Sequence, residues 1–144
     1  MAHATGDTYT LYESIISGYL AIVEKLLAKP SYDFANVSAT NVPDEPGVYV
    51  IYDKIVKAVI YTGRTKNLRR RLLSDHRRGN VEGSRFRKAL KQHLALESES
   101  EITSYILENC SFYFMAVENF EEMVRLEHFI IAVLAPVLNI KLKQ

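Results

Sequence analysis

Tyrosines and arginines lie close together in the stretch GVYVIYDKIVKAVIYTGRTKNLRRRL, residues 47–72. Tyr49 and Tyr61 lie in two short apolar segments, and a basic run begins at Arg64. An unperturbed phenol has a pKa of about 10, so it moves protons near neutral pH only where its surroundings lower that pKa. Neighbouring positive charge has this effect because it favours the phenolate. These residue types therefore suit acid–base chemistry next to an anion.

The positive charge of the chain is concentrated in one segment, although the net charge is only +1. Residues 64–91 contain eleven basic side chains, opposed only by Asp75 and Glu82. The eleven are Arg64, Lys66, Arg69, Arg70, Arg71, Arg77, Arg78, Arg85, Arg87, Lys88 and Lys91. The run predicts a surface that attracts polyanions, and the alternative is a solvated helix face without a partner.

One glutamate has an unexpected position in the clearest predicted helix, residues 119–134. On a helical wheel of about 100° per residue, Glu127 lies at the centre of the apolar stripe. The stripe consists of Phe120, Met123, Val124, Ile130, Ile131 and Leu134. A carboxylate there must be paired, metal-bound or protonated, because an unpaired buried charge costs several kcal/mol. The helix geometry leaves an ion pair with an arginine and a metal ligand equally open.

The order of the predicted elements indicates an α+β domain. A helix over residues 8–29 ends at Pro30, and a connector precedes two strands over 47–53 and 57–62. Helices follow at 67–78, at 84–96 and, as a short element, after Ser100; a strand at 111–117 precedes the helix that carries Glu127. This order predicts a small antiparallel sheet covered by helices.

Strand alternation and helix spacing place several of these side chains. Tyr49 and Tyr61 are expected on the same face of the hairpin and Tyr52 on the other face, although plain packing is the ordinary role of a strand tyrosine. Arg71 reaches the hairpin if its helix packs across it, and the alternative is a solvated surface arginine. His76 lies on the apolar side of that helix, which favours a packed core histidine.

Composition restricts the class of protein. The 144 residues are 48% hydrophobic, which suffices for the core of one compact domain. A single cysteine, Cys110, excludes an internal disulfide and is typical of a reducing compartment. The longest apolar run, FIIAVLAPVL, is too short to span a membrane, and the first residues do not resemble a signal peptide. A cytoplasmic location without membrane contact is therefore expected.

Five separated elements resemble the GIY-YIG nuclease family over residues 46–140. They are GVY at 47–49, YTG at 61–63, RTKNLRRRL at 64–72, the glutamate in LEHFIIAVLAPVLN at 126–139 and the asparagine near the end of that segment. The family includes the N-terminal nuclease domain of a bacterial excision-repair endonuclease and some homing endonucleases. The resemblance implies a three-stranded antiparallel sheet flanked by helices.

The resemblance also implies roles for individual residues. Tyr49 and Tyr61 match the motif tyrosines, Arg71 the arginine on the following helix, and Glu127 the metal-binding glutamate. Asn139 matches a following asparagine that positions the loop or a phosphate, although an asparagine after a proline is more often a turn residue. The other expected substrate contacts are Arg64, Lys66, Arg69, Arg70 and His76. Further candidates for contact with the nucleic-acid backbone are Arg77, Arg78, Arg85 and Arg87.

The chain departs from the family pattern at one position. Many members have histidine or tyrosine four residues after the arginine, where this chain has Asp75, with His76 one residue later. A one-residue shift turns a side chain by about 100° on an α-helix. Either the helix register adjusts locally, or His76 is only a packed core residue and Asp75 occupies the functional position.

The activity that the resemblance implies is divalent-metal-dependent hydrolysis of phosphodiester bonds in DNA, with Mg²⁺ or Mn²⁺ as the cofactor. Tyr49 is expected to act as the general base, Tyr61 as a second phenol that handles protons or positions water, and Arg71 as a phosphate clamp. One alternative is a nucleic-acid-binding module with weak or lost catalysis. Another is an unrelated α+β protein whose basic helix binds an acidic partner.

Two segments are expected from this resemblance. Residues 1–45 form an N-terminal helical extension and connector, and residues 46–144 form the nuclease domain. The N-terminal helix has a broad apolar face. It is expected to pack onto its own domain, and it is also a candidate contact for a second copy of the chain or a protein partner.

Overall fold

A four-stranded antiparallel sheet forms the centre of the molecule, of which the computed structural model describes residues 6–140. The strands are β1 (Tyr32–Asp33), β2 (Gly47–Asp53), β3 (Ala58–Thr65) and β4 (Cys110–Ala116), in the spatial order β1-β4-β2-β3. The expected antiparallel sheet is confirmed, but it has four strands rather than three. The sequence did not indicate β1 because two residues are too short to show the alternation of a strand.

Within residues 6–140, five α-helical segments flank the sheet, and a short 3₁₀ helix (Ala39–Asn41) precedes β2. They are α1 (Gly6–Ala28), α2 (Leu68–Arg70, which continues as a π-helix over Arg71–His76), α3 (Arg85–Leu94), α4 (Glu99–Asn109) and α5 (Phe120–Leu134). Side-chain caps define the starts of four of them, because Asn67, Ser84, Ser98 and Asn119 each accept a hydrogen bond from the backbone three residues on. The short helix expected after Ser100 is longer than predicted and begins earlier.

The π-helical turn is the local feature that sequence periodicity did not predict. A π-helix bonds residues five apart rather than four, so it accommodates one more residue per turn than an α-helix. Here the turn includes both Arg71 and His76. The register of the helix therefore adjusts locally, which was one of the two alternatives for the shifted histidine.

The two faces of the sheet support separate cores. Tyr49 and Ile51 on one face pack with Leu72, Phe86 and other side chains of α2 to α4. The opposite face packs against α1 and α5, and this second core consists of Val23, Leu26, Val48, Val50, Met123, Leu126 and Ile130. Strand β3 is an edge strand of the sheet.

Two sets of expectations reach beyond this description. Residues 1–5, part of the segment that does not resemble a signal peptide, and residues 141–144, the end of the expected nuclease domain, lie outside the described residues. Among residues 6–140, no helix is long and apolar enough to cross a membrane.

Candidate active site

A polar cavity of about 440 Å³ opens at the free edge of β3. Its walls include Tyr49 and Tyr61 from the hairpin, Arg71 and His76 from the π-helical turn, and Glu127 from α5. These are the residues that the sequence singled out for proton transfer, anion binding and metal binding. The fold thus brings together side chains that are up to 78 positions apart, from Tyr49 to Glu127.

The two tyrosines lie on the same face of the hairpin, as strand alternation predicted. Their ring centroids are 6.4 Å apart. Gly63 pairs with Tyr49 across the strands, and the Tyr49 hydroxyl lies directly over it: a Cβ on Gly63 would approach that oxygen to 2.4 Å. The glycine of the YTG motif therefore makes room for the phenol beside the cavity.

A chain of hydrogen bonds connects Tyr49 to the start of α3. The Tyr49 hydroxyl lies 2.6 Å from Nε2 of His76, and Nδ1 of His76 lies 2.7 Å from Oγ of Ser84. Ser84 also accepts a hydrogen bond from the backbone N–H of Arg87 and so caps the helix. Ser84 was predicted only as this cap, and its contact with His76 depends on tertiary structure that no local pattern reveals.

Asp75 does not occupy the position next to Tyr49. The π-helical turn directs His76 to the phenol, and Asp75 instead forms an ion pair with Arg71, whose Nε lies 3.7 Å from a carboxylate oxygen. His76 is 1% exposed, so it is also the packed histidine that its place on the apolar side predicted. Burial of His76 and its contact with Tyr49 therefore occur together, and the alternative that puts Asp75 in that position is wrong.

Burial has the largest effect on the pKa values of the two tyrosines. It raises the pKa of Tyr49 well above 10; Tyr61 and Glu127 raise it further, whereas Arg71 lowers it. Burial and Glu127 raise the pKa of Tyr61 in the same way. Nearby arginine does favour the phenolate as expected, but its effect is smaller than that of burial.

His76 is held neutral over the physiological range. Burial, and to a smaller degree the charges of Arg71 and Arg87, lower its pKa from 6.5 to about 3. A neutral imidazole has one nitrogen that donates and one that accepts a hydrogen bond. It can therefore accept the Tyr49 proton at Nε2 only if Nδ1 carries a hydrogen directed at Ser84.

Glu127 is buried, as the helical wheel predicted, and it forms an ion pair with Arg64 from β3. The ion pair satisfies one carboxylate oxygen, so the structural role that the sequence left open is present. The carboxylate also lines the cavity, where its charge raises the pKa of both tyrosines. Pairing with Arg64 and binding a metal do not exclude each other. Arg64 lies at the half-open rim, so its side chain can move away from the carboxylate, and it forms no other ion pair within residues 6–140.

Arg71 has a polar atom that the protein leaves unsatisfied. Within residues 6–140, its Nε is the buried side-chain nitrogen or oxygen that lacks a hydrogen-bond partner, since the 3.7 Å distance to Asp75 is too long for a hydrogen bond. A buried donor without an acceptor costs about 1–3 kcal/mol. Such a donor on a cavity wall fits the binding of an anion.

Asn139 clamps the backbone of the edge strand. Its Oδ1 accepts a hydrogen bond from the N–H of Thr62 at 2.8 Å, and its Nδ2 donates to the carbonyl of Thr62 at 2.9 Å. Both ends of the amide are thus used one residue from Tyr61. In this arrangement Asn139 positions the strand that carries the second phenol.

Six other basic residues of the run separate into two groups. Arg64, Lys66, Arg70 and Arg85 are exposed on or next to the cavity. Arg69 and Arg77 instead donate to backbone carbonyls, at Val42 and at Leu73, Phe34 and Val37 respectively.

Arg87 corrects one expectation. It was a candidate for contact with the nucleic-acid backbone, but its side chain is 0% exposed. Its guanidinium bonds the carbonyls of His76 and Arg77, the carbonyl and carboxylate of Glu99, and the hydroxyl of Thr103. Its charge therefore serves the fold, and the basic run does not lie wholly on one surface.

A divalent cation would find two carboxylates on the walls of this cavity, the buried Glu127 and the exposed Glu82. No group of three or more histidine, cysteine, aspartate or glutamate side chains within residues 6–140 is arranged to hold a metal. Mg²⁺ nevertheless keeps several waters and is commonly bound through one or two carboxylates together with substrate phosphate. Glu127 beside a phosphate-binding arginine fits that mode, and it does not fit a tight site made by protein ligands alone.

The chain is similar to known proteins in sequence and in structure. Residues 36–144 match the family model described as the GIY-YIG catalytic domain. Among solved structures, a point mutant of the GIY-YIG N-terminal endonuclease domain of UvrC from Thermotoga maritima, bound to its catalytic divalent cation, is 26% identical. That match covers 72% of this chain and 91% of that chain, with a TM-score of 0.43. The magnesium-bound domain from the same organism is 24% identical and covers 71% and 91%, with a TM-score of 0.42. No curated protein matches the chain significantly.

Proposed function

Since the chain belongs to the GIY-YIG catalytic domain family, we propose that it is a divalent-metal-dependent endonuclease that hydrolyses phosphodiester bonds in DNA. The observation that carries the proposal is the hydrogen bond between Tyr49 and His76 in a cavity that Arg71, whose Nε has no hydrogen-bond partner, also lines. We assign this activity to residues 46–144 and assign residues 1–45 to an N-terminal extension.

Phosphate binding is the role of Arg71. Its buried Nε lacks an acceptor in the protein, and a phosphate oxygen supplies a charged one. The guanidinium also offsets negative charge that develops on the phosphate oxygens during attack, which is worth most in a cavity with little water. The Asp75 carboxylate, 3.7 Å from the same Nε, limits the orientations of this side chain.

Proton transfer is the role of Tyr49 and His76. In the free protein the raised pKa of Tyr49 and the lowered pKa of His76 keep both groups neutral. A bound phosphate neutralises Arg71, which removes one of the charges that lower the pKa of His76. The Tyr49 oxygen then takes a proton from the attacking water while its own proton passes to Nε2 of His76. Ser84 Oγ accepts a hydrogen bond from Nδ1–H of His76 and so fixes the tautomer that this transfer requires.

Tyr61 and Glu127 complete the assignment. The phenol of Tyr61, half-buried on the same wall, is placed to orient the water or a phosphate oxygen. Glu127 is the residue that would hold Mg²⁺ or Mn²⁺, and the cation would supply positive charge to stabilise the leaving oxygen. Asn139 acts indirectly, because it fixes the strand that carries Tyr61.

Affinity for DNA is assigned to exposed basic side chains around the cavity. Lys66 and Arg70 line a neighbouring depression together with Arg64 and Arg71. Contacts of this kind bind phosphates without selecting a sequence. Substitution of Lys66 by alanine is expected to remove one phosphate contact and so to reduce the steepness of log affinity against log salt by about 1. Arg69 has a smaller part, because its Nε is bonded to a backbone carbonyl.

One alternative function is favoured by a specific observation. The raised pKa of Tyr49 is what a nucleic-acid-binding module with weak catalysis would have, because a protonated phenol accepts a proton from water only if it passes its own proton to another group. The placement of His76 rather than Asp75 beside the phenol favours the enzyme instead.

Cleavage of DNA distinguishes the two. A supercoiled plasmid and a set of branched DNAs are incubated with Mg²⁺ or Mn²⁺, and wild type is compared with Glu127→Gln and with the matched exposed control Glu121→Gln on the same helix. The proposal predicts cleavage by wild type and Glu121→Gln that is lost with chelator and in Glu127→Gln. Folded wild type that binds DNA but cleaves none of these substrates would overturn the enzyme and support the binding module.

The first half of α1 has exposed apolar side chains that suit contact with a protein partner. Tyr12 and Ile16 continue, at heptad spacing, the stripe of Tyr19, Val23 and Leu26 that packs on the domain. The exposed large apolar side chains of this helix are Tyr9, Leu11, Tyr12, Ile15, Ile16 and Leu20. We propose that a second copy of the chain pairs along this stripe. Sedimentation equilibrium should then show a dimer that Ile16→Glu dissociates, and a monomer at all concentrations would contradict it.

A cytoplasmic location also stays a prediction. Fractionation of cells that express the chain from its own gene tests it directly, and recovery of the protein with membranes or outside the cell would contradict it.

A further inference from the structure

Phe120 is exposed, although the helical wheel placed it on the apolar face of its helix. As the first residue of α5 it belongs to the apolar stripe, yet its side chain is 56% exposed. The guanidinium of Arg64 lies over its ring, 5.8 Å from the centroid. More than half of the side chain is therefore accessible, and a cation already lies over the ring.

The ring borders a second cavity that shares lining residues with the first. This cavity, of about 420 Å³, is lined by Phe120 and by the basic side chains Arg64, Lys66 and Arg70. Arg64 and Arg71 line both cavities. A group bound against Phe120 is therefore next to whatever Arg71 binds in the catalytic cavity.

The charges of the second cavity match a nucleotide. Four basic residues, Arg64, Lys66, Arg70 and Arg71, surround it, and Asp75 is paired with Arg71. An exposed aromatic ring within a positively charged groove is the arrangement by which proteins bind single-stranded nucleic acid, with phosphates on the cations and bases on the rings. Arg64 and Arg71 already have acidic partners, so a neutral apolar peptide would leave Lys66 and Arg70 without one among residues 6–140.

We propose that Phe120 stacks on an unpaired base next to the phosphate that the catalytic cavity cleaves. The proposal rests on the proposed function and specifies its substrate class. A base inside a continuous duplex has neighbours on both faces, so the ring can stack only on a base that has lost one of them. The substrate is therefore DNA with an unpaired nucleotide at the cleavage position, as at a flap, a gap or a branch, rather than continuous duplex.

The absence of tryptophan from the sequence allows a direct test. Phe120→Trp introduces a single tryptophan, and its fluorescence is followed in chelator as short single-stranded DNA, or a duplex closed by hairpins at both ends, is added. The matched control is Tyr9→Trp on α1, which replaces a side chain that is also 56% exposed. Quenching of the Phe120→Trp signal by single-stranded DNA, with little change from closed duplex and none in the control, is expected. Equal quenching by both DNAs, or none, would overturn the proposal.

Affinity gives a second measurement that is independent of cleavage. In the Glu127→Gln background, Phe120→Ala should weaken binding of a flap or single strand by about 5- to 150-fold, the range for one base stacked on an aromatic ring. Phe120→Tyr, which keeps a ring, should restore it, and closed duplex should bind all three variants alike. An equal loss for flap and closed duplex would contradict base stacking.

These results separate the two proposals. If wild type cleaves DNA but Phe120→Ala binds flaps and closed duplex as its parent does, the inference fails alone. If no DNA is cleaved but the flap-specific loss is found, the nuclease proposal fails and the base-stacking site remains.

Discussion

The hydroxyl of Tyr49 and Nε2 of His76 lie 2.6 Å apart because the helix that carries His76 has one residue more than an α-helical turn between Arg71 and His76. In a regular α-helix, Asp75, four residues after Arg71, would take the place next to Tyr49 instead of His76. The turn therefore keeps a neutral imidazole beside the phenol and directs the carboxylate to Arg71. This arrangement is the basis of the following predictions.

Deletion of Ser74, an exposed residue of the π-helical turn, should be tolerated. It leaves four residues from Arg71 to the histidine, which is the spacing that an α-helix needs to keep the same two side chains in place. Thermal unfolding should remain cooperative, and the cleavage rate should be of the same order as that of wild type. Deletion of the buried Leu73 is the control that should unfold the helix. A folded Ser74 deletion without cleavage would mean that the π-helical geometry itself is needed.

The lowered pKa of His76 predicts a specific pH dependence of stability. Unfolded His76 takes up a proton below pH 6.5, whereas in the folded protein its pKa is about 3. The unfolded state then binds more protons, so the stabilisation that is fully present above pH 6.5 is lost progressively as pH falls toward 3. Between about pH 7.5 and about pH 5, wild type should lose about 2 kcal/mol more of its unfolding free energy than His76→Gln. Equal losses in urea titrations of the two proteins would contradict the buried neutral imidazole.

Gly63→Ala should impair the site through Tyr49. The added Cβ would lie 2.4 Å from the Tyr49 hydroxyl oxygen, so the ring must move. A displacement of about 1 Å at a catalytic group costs about 100-fold in rate. Gly18→Ala is the matched control, because a Cβ there meets nothing within 4 Å. In the middle of α1 it should instead stabilise the protein by about 0.5–1 kcal/mol. Wild-type cleavage by Gly63→Ala would show that the position of the phenol is not critical.

Arg87→Ala should act on stability rather than on DNA affinity. The arginine is fully buried and bonds the carbonyls of His76 and Arg77 as well as Glu99, so its removal leaves several acceptors unsatisfied. A loss of about 3 kcal/mol or more in chemical unfolding is expected. Arg85→Ala, at an exposed position in the same helix, should leave stability nearly unchanged and weaken DNA binding. The opposite pattern would return Arg87 to the nucleic-acid surface.

Local patterns in the sequence accounted for most of the elements and for the members of the site. Helix caps, strand alternation and the apolar stripe of α5 predicted where Tyr49, Tyr61 and Glu127 lie, since each depends on spacing within one element. The short strand β1 was missed because it has no periodicity of its own.

The features that were not predicted depend on contacts between elements. Ser84 was recognised as a cap but not as the partner of His76, and Arg87 could not be told from the exposed arginines by its neighbours in sequence. Phe120 has an apolar position on the wheel, but it lies at the end of α5, beyond the part that the sheet covers. Burial at the end of a helix is set by what packs against it, which spacing does not reveal.

The most direct test of the account is the single-turnover cleavage rate of Tyr49→Phe, which removes one hydroxyl and keeps the ring. The account predicts that the variant folds and binds flap DNA in chelator as wild type does, but loses metal-dependent cleavage. Cleavage at the wild-type rate would contradict it, because the phenol that His76 contacts would then take no part in proton transfer.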